Sequence, residues 1–155
     1  MNTNENDMQK YLEKWQHALR LRDWDIRLQT VNHKWRKTGD IKIDADDRNA
    51  ILLINVCNPK QTNLEELIIH ELLHLKLYAM DQMIENYINA LYGEADCPKR
   101  DMAYHHFMTT LESTTNDLAK SFLQLGGDDK NLSFGRLQIE VDNEIMQSSN
   151  NNNPN

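Results

Sequence analysis

Little in this sequence suits a protein held together by cross-links or lodged in a membrane. Its two cysteines, Cys57 and Cys97, make no disulfide framework, and neither belongs to a CxxC pair. Free thiols in a cytoplasmic protein are the expectation. No stretch approaches the roughly eighteen consecutive apolar residues of a membrane span. The opening MNTNENDMQK has no basic segment followed by an apolar run, so no signal peptide is expected. Basic charge is scarce as well: 17 Lys and Arg against 24 Asp and Glu leave a net charge of −7. That balance argues against sequence-independent nucleic-acid binding, which needs cations to neutralise phosphates. The local set Arg20, Arg22, Arg27, Lys34, Arg36 and Lys37 is read as solvated surface. There is no internal repeat and no sign of a second domain.

What is present suffices for one hydrophobic core. The chain has 155 residues, 39% hydrophobic, with three Trp. A mean hydropathy of −0.74 points to polar margins. We expect a single domain over residues 1–147 with its core at about 7–127, and a disordered Asn-rich tail at 148–155. Met8, Tyr11, Leu12, Trp15, Ala18 and Leu19 recur at helical spacing, predicting a helix over 7–22. Residues 24–30 and 41–45 alternate with period two, as half-buried strands do, and Trp35 between them could hold a short strand or turn. Asp46-Asp47-Arg48-Asn49 reads as a turn. Ala50–Val56 is a continuous apolar run suited to a strand covered on both faces.

Beyond Asn58-Pro59, the stretch TNLEELIIHELLHLKLYA reads as one helix, capped by Thr62 or Asn63, with Glu65 and Glu66 favouring its positive end. On a helical wheel only a narrow sector with Glu65 and Lys76 is polar, so the helix is expected to be packed on nearly all sides. A short separate helix should follow over 83–91, ending near Gly93. A loop at GEADCPKRD and a long helix from about Pro98 to Leu125 come next, with a stripe at Tyr104, Met108, Leu111, Thr115, Leu118, Phe122 and Leu125. Gly126-Gly127 suits its end. Leu137, Ile139 and Val141 then alternate with polar residues, as in a strand.

The chemistry sits in His70-Glu71-Leu72-Leu73-His74. By composition, HExxH arises by chance in roughly one such chain in seventy; here its neighbours from Leu67 to Leu75 are uncharged, which a chance match does not require. Two imidazoles four residues apart share a helix face, one turn above the other, and can both reach one zinc ion at about 2.0–2.1 Å. Glu71 lies roughly 100° round from His70 and can address a water without ligating the metal.

A catalytic zinc normally has a third protein ligand. Met80 stands where an extended motif would place a third His, so a carboxylate is expected; the candidates are Glu112, Glu94 and Glu85, in that order. Glu94 lies twenty residues after His74 but follows a glycine in a stretch without helical signal. Glu112 shares a helix face with His105, Met108, Thr115, Ala119 and Phe122, and so interrupts what reads as a buried side. A carboxylate there calls for a compensating charge, which zinc would supply. Asn116, one turn on, is a candidate to orient a ligand.

A short sheet, then LIIHELLH on a helix, then a second helix bearing Glu resembles the zincin clan of metallopeptidases. Within it, residues from about Trp24 to Leu125 are similar to the small single-domain gluzincins of the minigluzincin type. The resemblance implies an α+β zincin-like fold: a small mixed or antiparallel sheet packed on an N-terminal helix, an active-site helix and a Glu-bearing helix. It implies His70 and His74 as zinc ligands, Glu71 as general base, and the Glu112 helix as source of the third ligand. It also implies that strand 41–46, or its neighbour 50–56, lines the cleft and pairs with an extended peptide. Some members are held latent by terminal segments, which singles out residues 1–22 and 128–146. SprT-like proteins share size and motif, but their four-cysteine ribbon and basic balance are missing here. ImmA-like regulatory proteases are a further kinship, without an evident helix-turn-helix partner in this chain.

The expected activity is therefore zinc-dependent hydrolysis of a peptide or protein substrate by a monomer, with Glu71 taking a proton from the attacking water and delivering it to the leaving amine. A second donor should steady the carbonyl oxygen; Tyr104, His105 and His106 lie on the Glu112 helix, and none is assigned. A non-catalytic, zinc-stabilised binding protein is the competing class.

Overall fold

The computed structural model describes residues 3–93 and 97–151. It is an α+β arrangement of four helices and one three-stranded mixed sheet. The elements are α1 (Thr3–Ala18), β1 (Asp25–Val31), β2 (Gly39–Asp44), β3 (Asn49–Asn55), α2 (Leu64–Tyr92), α3 (Pro98–Gly126) and α4 (Gly135–Asn151).

The sheet has the order β1-β3-β2. β3 pairs in parallel with β1, Leu28 opposite Leu52, and antiparallel with β2, Ile41 opposite Leu52. The apolar run of β3 does occupy the centre, but its burial alternates, and Ile51 is 38% exposed. The expected cover on both faces is corrected: the helices lie against one side only. Residues near Trp35 form no strand. They are a loop tied down by buried Asn55, whose Nδ2 donates to Lys37 O at 2.8 Å and whose Oδ1 accepts from Asn58 N at 3.1 Å.

On the covered side, Met8, Leu12 and Trp15 of α1 cluster with Leu52 and Ile54 of β3 and with Ile68, Ile69 and Leu72 of α2. Side chains of this kind contribute about 1.5–3 kcal/mol each when fully buried. α1 stops at Ala18, short of the expected 22, and the chain turns through Arg20 at φ 58°. Asn63 caps α2 by accepting from Glu66 N at 2.9 Å.

Three expectations fail in ways that matter for the site. α2 does not end near Ala79; it continues for 29 residues to Tyr92, absorbing the helix expected over 83–91, because Met80–Gln82 contain nothing that breaks a helix. Glu65 is not on a polar sector but fully buried. It accepts from Trp15 Nε1 (2.7 Å), Lys14 Nζ (2.8 Å), Asp128 N (2.7 Å) and Asp129 N (3.0 Å). The segment expected to be a strand at 137–141 is α4, exposed from Arg136 to Gln147. With no strand alongside it among the described residues to take its backbone groups, a helix satisfies them internally. α4 runs to Asn151, into the stretch expected to be a disordered tail; residues 152–155 lie outside those described. No helix among the described residues is long and apolar enough to cross a membrane.

Candidate metal centre

α2 and α3 pack against each other, and buried Thr115 and Ala119 sit on the packed side of α3. Small residues there let the two helix backbones approach. One consequence is that Glu112 reaches both motif histidines. His74 Nε2 lies 3.3 Å from Glu112 Oε1, His70 Nε2 lies 3.6 Å from Glu112 Oε2, and the two Nε2 atoms are 3.1 Å apart. Four ligands about 2.1 Å from a tetrahedral zinc would be separated by about 3.4 Å. The three separations bracket that value, so the donor set and its spacing fit zinc. Glu112 is half exposed rather than buried, as its helix face had suggested. The buried stripe of α3 runs instead through Leu111, Thr115, Ala119 and Leu123, and Leu125 is 81% exposed.

The other proposed third ligands fare differently. Glu85 lies eleven residues beyond His74 on the same helix, about 16 Å along its axis, and hydrogen-bonds Gln82. It is not among the clustered groups. Glu94 lies outside the described residues.

Electrostatics at the three groups are mutual. Burial holds His70 well below the usual histidine range, aided by neighbouring His74 and Arg136 and opposed by Glu112 and Asn116. A neutral imidazole is what a metal ligand requires. Burial also acts to lower His74, but Glu112 outweighs it and the ring is raised. Glu112 is lowered, chiefly by its hydrogen bond with His74. Asn116, expected to orient a ligand without one being specified, hydrogen-bonds His70.

Glu71 is buried on the same helix, and burial pushes its carboxyl up to about 7, against the pull of His74. Gly39 of β2 lies against it. A Cβ at position 39 would fall 2.6 Å from Glu71 Oε1 and 2.9 Å from Leu67 Cδ1.

The three grouped residues and Glu71 line a cleft of about 1000 Å³. One side is β2, an edge strand, with Gly39, Asp40, Ile41 and Ile43 in the lining and Thr38 just before it. This selects 41–46 over 50–56 as the strand beside the site, since β3 is enclosed between its neighbours. Tyr104, His105 and His106 are not in the lining. His105 and His106 are exposed, and the Tyr104 ring lies under the Arg100 guanidinium at 5.9 Å.

Arg136 does line the cleft, and sequence reasoning missed it. The missing signal is tertiary, because the segment after α3 is strapped onto the start of α2. Asn63 Nδ2 donates to Asp129 O (2.9 Å) and Asn131 O (2.7 Å), and Thr62 N donates to Ser133 Oγ (2.9 Å). Gly135 follows so close to Lys60 that a Cβ there would collide with the Lys60 carbonyl oxygen. Of the two terminal segments singled out above, α1 belongs to the core, while Phe134–Leu137 help form the cleft. Compared with protein-family models, with curated proteins and with solved structures, the chain matches none.

Proposed function

We propose that this protein is a zinc-dependent metallopeptidase of zincin type, with His70, His74 and Glu112 holding the metal and Glu71 serving as general base. The observation that carries the reading is the spacing of the three ligand atoms, 3.1–3.6 Å, beside a buried carboxylate that none of them uses. A structural zinc site would have no need of Glu71.

Bound there, zinc would supply Lewis-acid polarisation of a carbonyl and a water with a pKa near about 7. The chain's own residues do the rest. Glu71 accepts a proton from the attacking water and passes it to the leaving amine; it is hindered from swinging away because Gly39 and Leu67 close around it. β2 offers its unpaired edge to an extended peptide, fixing the substrate through backbone hydrogen bonds, with side chains alternating into and out of the cleft. Burial between strand and helix keeps bulk water from the base.

The test is zinc content by elemental analysis, alongside cleavage of an unfolded protein. His70→Ala, His74→Ala and Glu112→Ala should lose zinc, while Glu85→Ala keeps it. Glu71→Gln should keep zinc and lose at least about a hundredfold in rate. Wild-type protein that takes up no zinc would overturn the proposal.

A further inference from the structure

Cations and acids nearly balance in the lining of the cleft, five against six, but they are not all paired with one another. Arg36, Lys60 and Arg136 line it, and none of their side chains makes a hydrogen bond or ion pair among the described residues. Lys37, which also lines the cleft, is paired with Asp40, and away from it Lys10, Lys14 and Lys42 are paired with carboxylates. No acid of the cleft forms an ion pair with Arg36, Lys60 or Arg136 among the described residues, although Glu112 feels the charge of Arg136. Asp40 already binds Lys37 (2.9 Å) and Lys42 (2.7 Å). Glu66 is buried, with Oε2 lacking a partner; burial pushes it towards its neutral form, opposed by Lys120. Asp117 sits within one helical turn of Lys120 on α3. Asp81 lies seven residues beyond His74, about 10 Å further along α2. Glu140, four residues after Arg136, forms no ion pair with it.

Arg136 lines the same cleft as His70, His74 and Glu112. It is also the best placed, on the first turn of α4 directly after the strap bonded to Thr62 and Asn63. We infer that Arg136 anchors a carboxylate of the substrate beside the metal triad, so that the cleft selects peptides with an acidic residue, or the free C-terminus, next to the bond addressed. A guanidinium fork matches a carboxylate's two oxygens. This inference rests on the metallopeptidase reading of the site.

Binding tests it without requiring turnover. Labelled peptides are titrated by fluorescence anisotropy onto zinc-loaded full-length Glu71→Gln protein. One series carries Asp, Asn or Lys at successive positions with an amidated end; a second is uncharged, with a free or amidated C-terminus. One of the two carboxylates should bind at least about tenfold more tightly than its amide, and which series shows this names the source. Adding Arg136→Gln should abolish the preference at unchanged zinc content, and Arg136→Glu should shift it towards Lys. Equal binding of acid and amide, a preference that survives Arg136→Gln, or no peptide binding at all would each overturn the inference. Selective binding without cleavage of the same peptides by wild-type protein would instead remove the proposed hydrolysis and leave the carboxylate subsite standing.

Discussion

Gly39 lies against Glu71 with no room for a side chain between them. A side chain as small as a methyl at 39 would stand 2.6 Å from the Glu71 carboxylate oxygen, so the edge strand and the proposed base are built around each other. Gly39→Ala should therefore displace Glu71 while leaving the proposed zinc ligands His70, His74 and Glu112 on their helices. The expected outcome is full zinc content with at least about tenfold slower peptide cleavage, because a misplacement near 1 Å costs that much or more. Unchanged kinetics would mean that Glu71 is not held against β2 during the reaction.

Glu71 should also cost stability. Its folded pKa of about 7 lies above the ordinary 4.5, so between those values the native state binds the proton that the unfolded state has released. Metal-free protein should lose stability as pH rises from about 4.5 to 7. Glu71→Gln escapes that penalty. Without zinc at pH 8 it should be more stable than wild type, by up to roughly 3 kcal/mol, and the difference should vanish near pH 4. Urea unfolding across that range, with chelator present, reads it directly.

Glu65 should behave oppositely. Burial alone would raise its carboxyl, but the Lys14, Asp129, Trp15 and Asp128 donors prevail and hold it below 4.5. Its contribution is complete above about pH 4.5 and disappears as pH falls through the lower folded value. Glu65→Ala would strand the Trp15 indole and two backbone N–H groups, costing about 3–5 kcal/mol. Glu65→Gln should give a flatter acid limb in a pH–stability curve, and a limb as steep as wild type would contradict the assignment.

The approach of α3 to α2 depends on Ala119, which is fully buried. Ala119→Leu should overpack the interface by about 1–3 kcal/mol and pull Glu112 away from His70 and His74. Weaker zinc retention in a chelator competition, with the protein still folded by circular dichroism, is the expected result. Retention equal to wild type would show that α3 can shift without moving Glu112.

Where local rules decide structure, the residues were legible in order. HELLH sets the spacing of two imidazoles on one turn, Asn63 announces the start of α2, and period-two alternation marks β1 and β2. Each depends on neighbours within a few residues, bound by backbone hydrogen bonds or a shared helix face. Glu112 was legible only as one of three carboxylates. Its selection needed two helices to pack through Thr115 and Ala119, which no periodicity expresses.

The errors have the same origin. Glu65 looks solvent-facing on a wheel, yet a fully buried carboxylate is tolerable once Lys14, Trp15 and the chain at 128–129 arrive from distant parts of the sequence. Leu137, Ile139 and Val141 carry a strand's alternation, but a strand needs a neighbour and the described residues offer none, so the segment is helical. Alone, the sequence determined a paired-histidine helix with a glutamate at its side, because those relations lie within one turn of backbone. Which carboxylate meets the histidines, which strand edge borders them and which arginine stands at the cleft were decided by tertiary packing, because each depends on contacts between residues tens of positions apart.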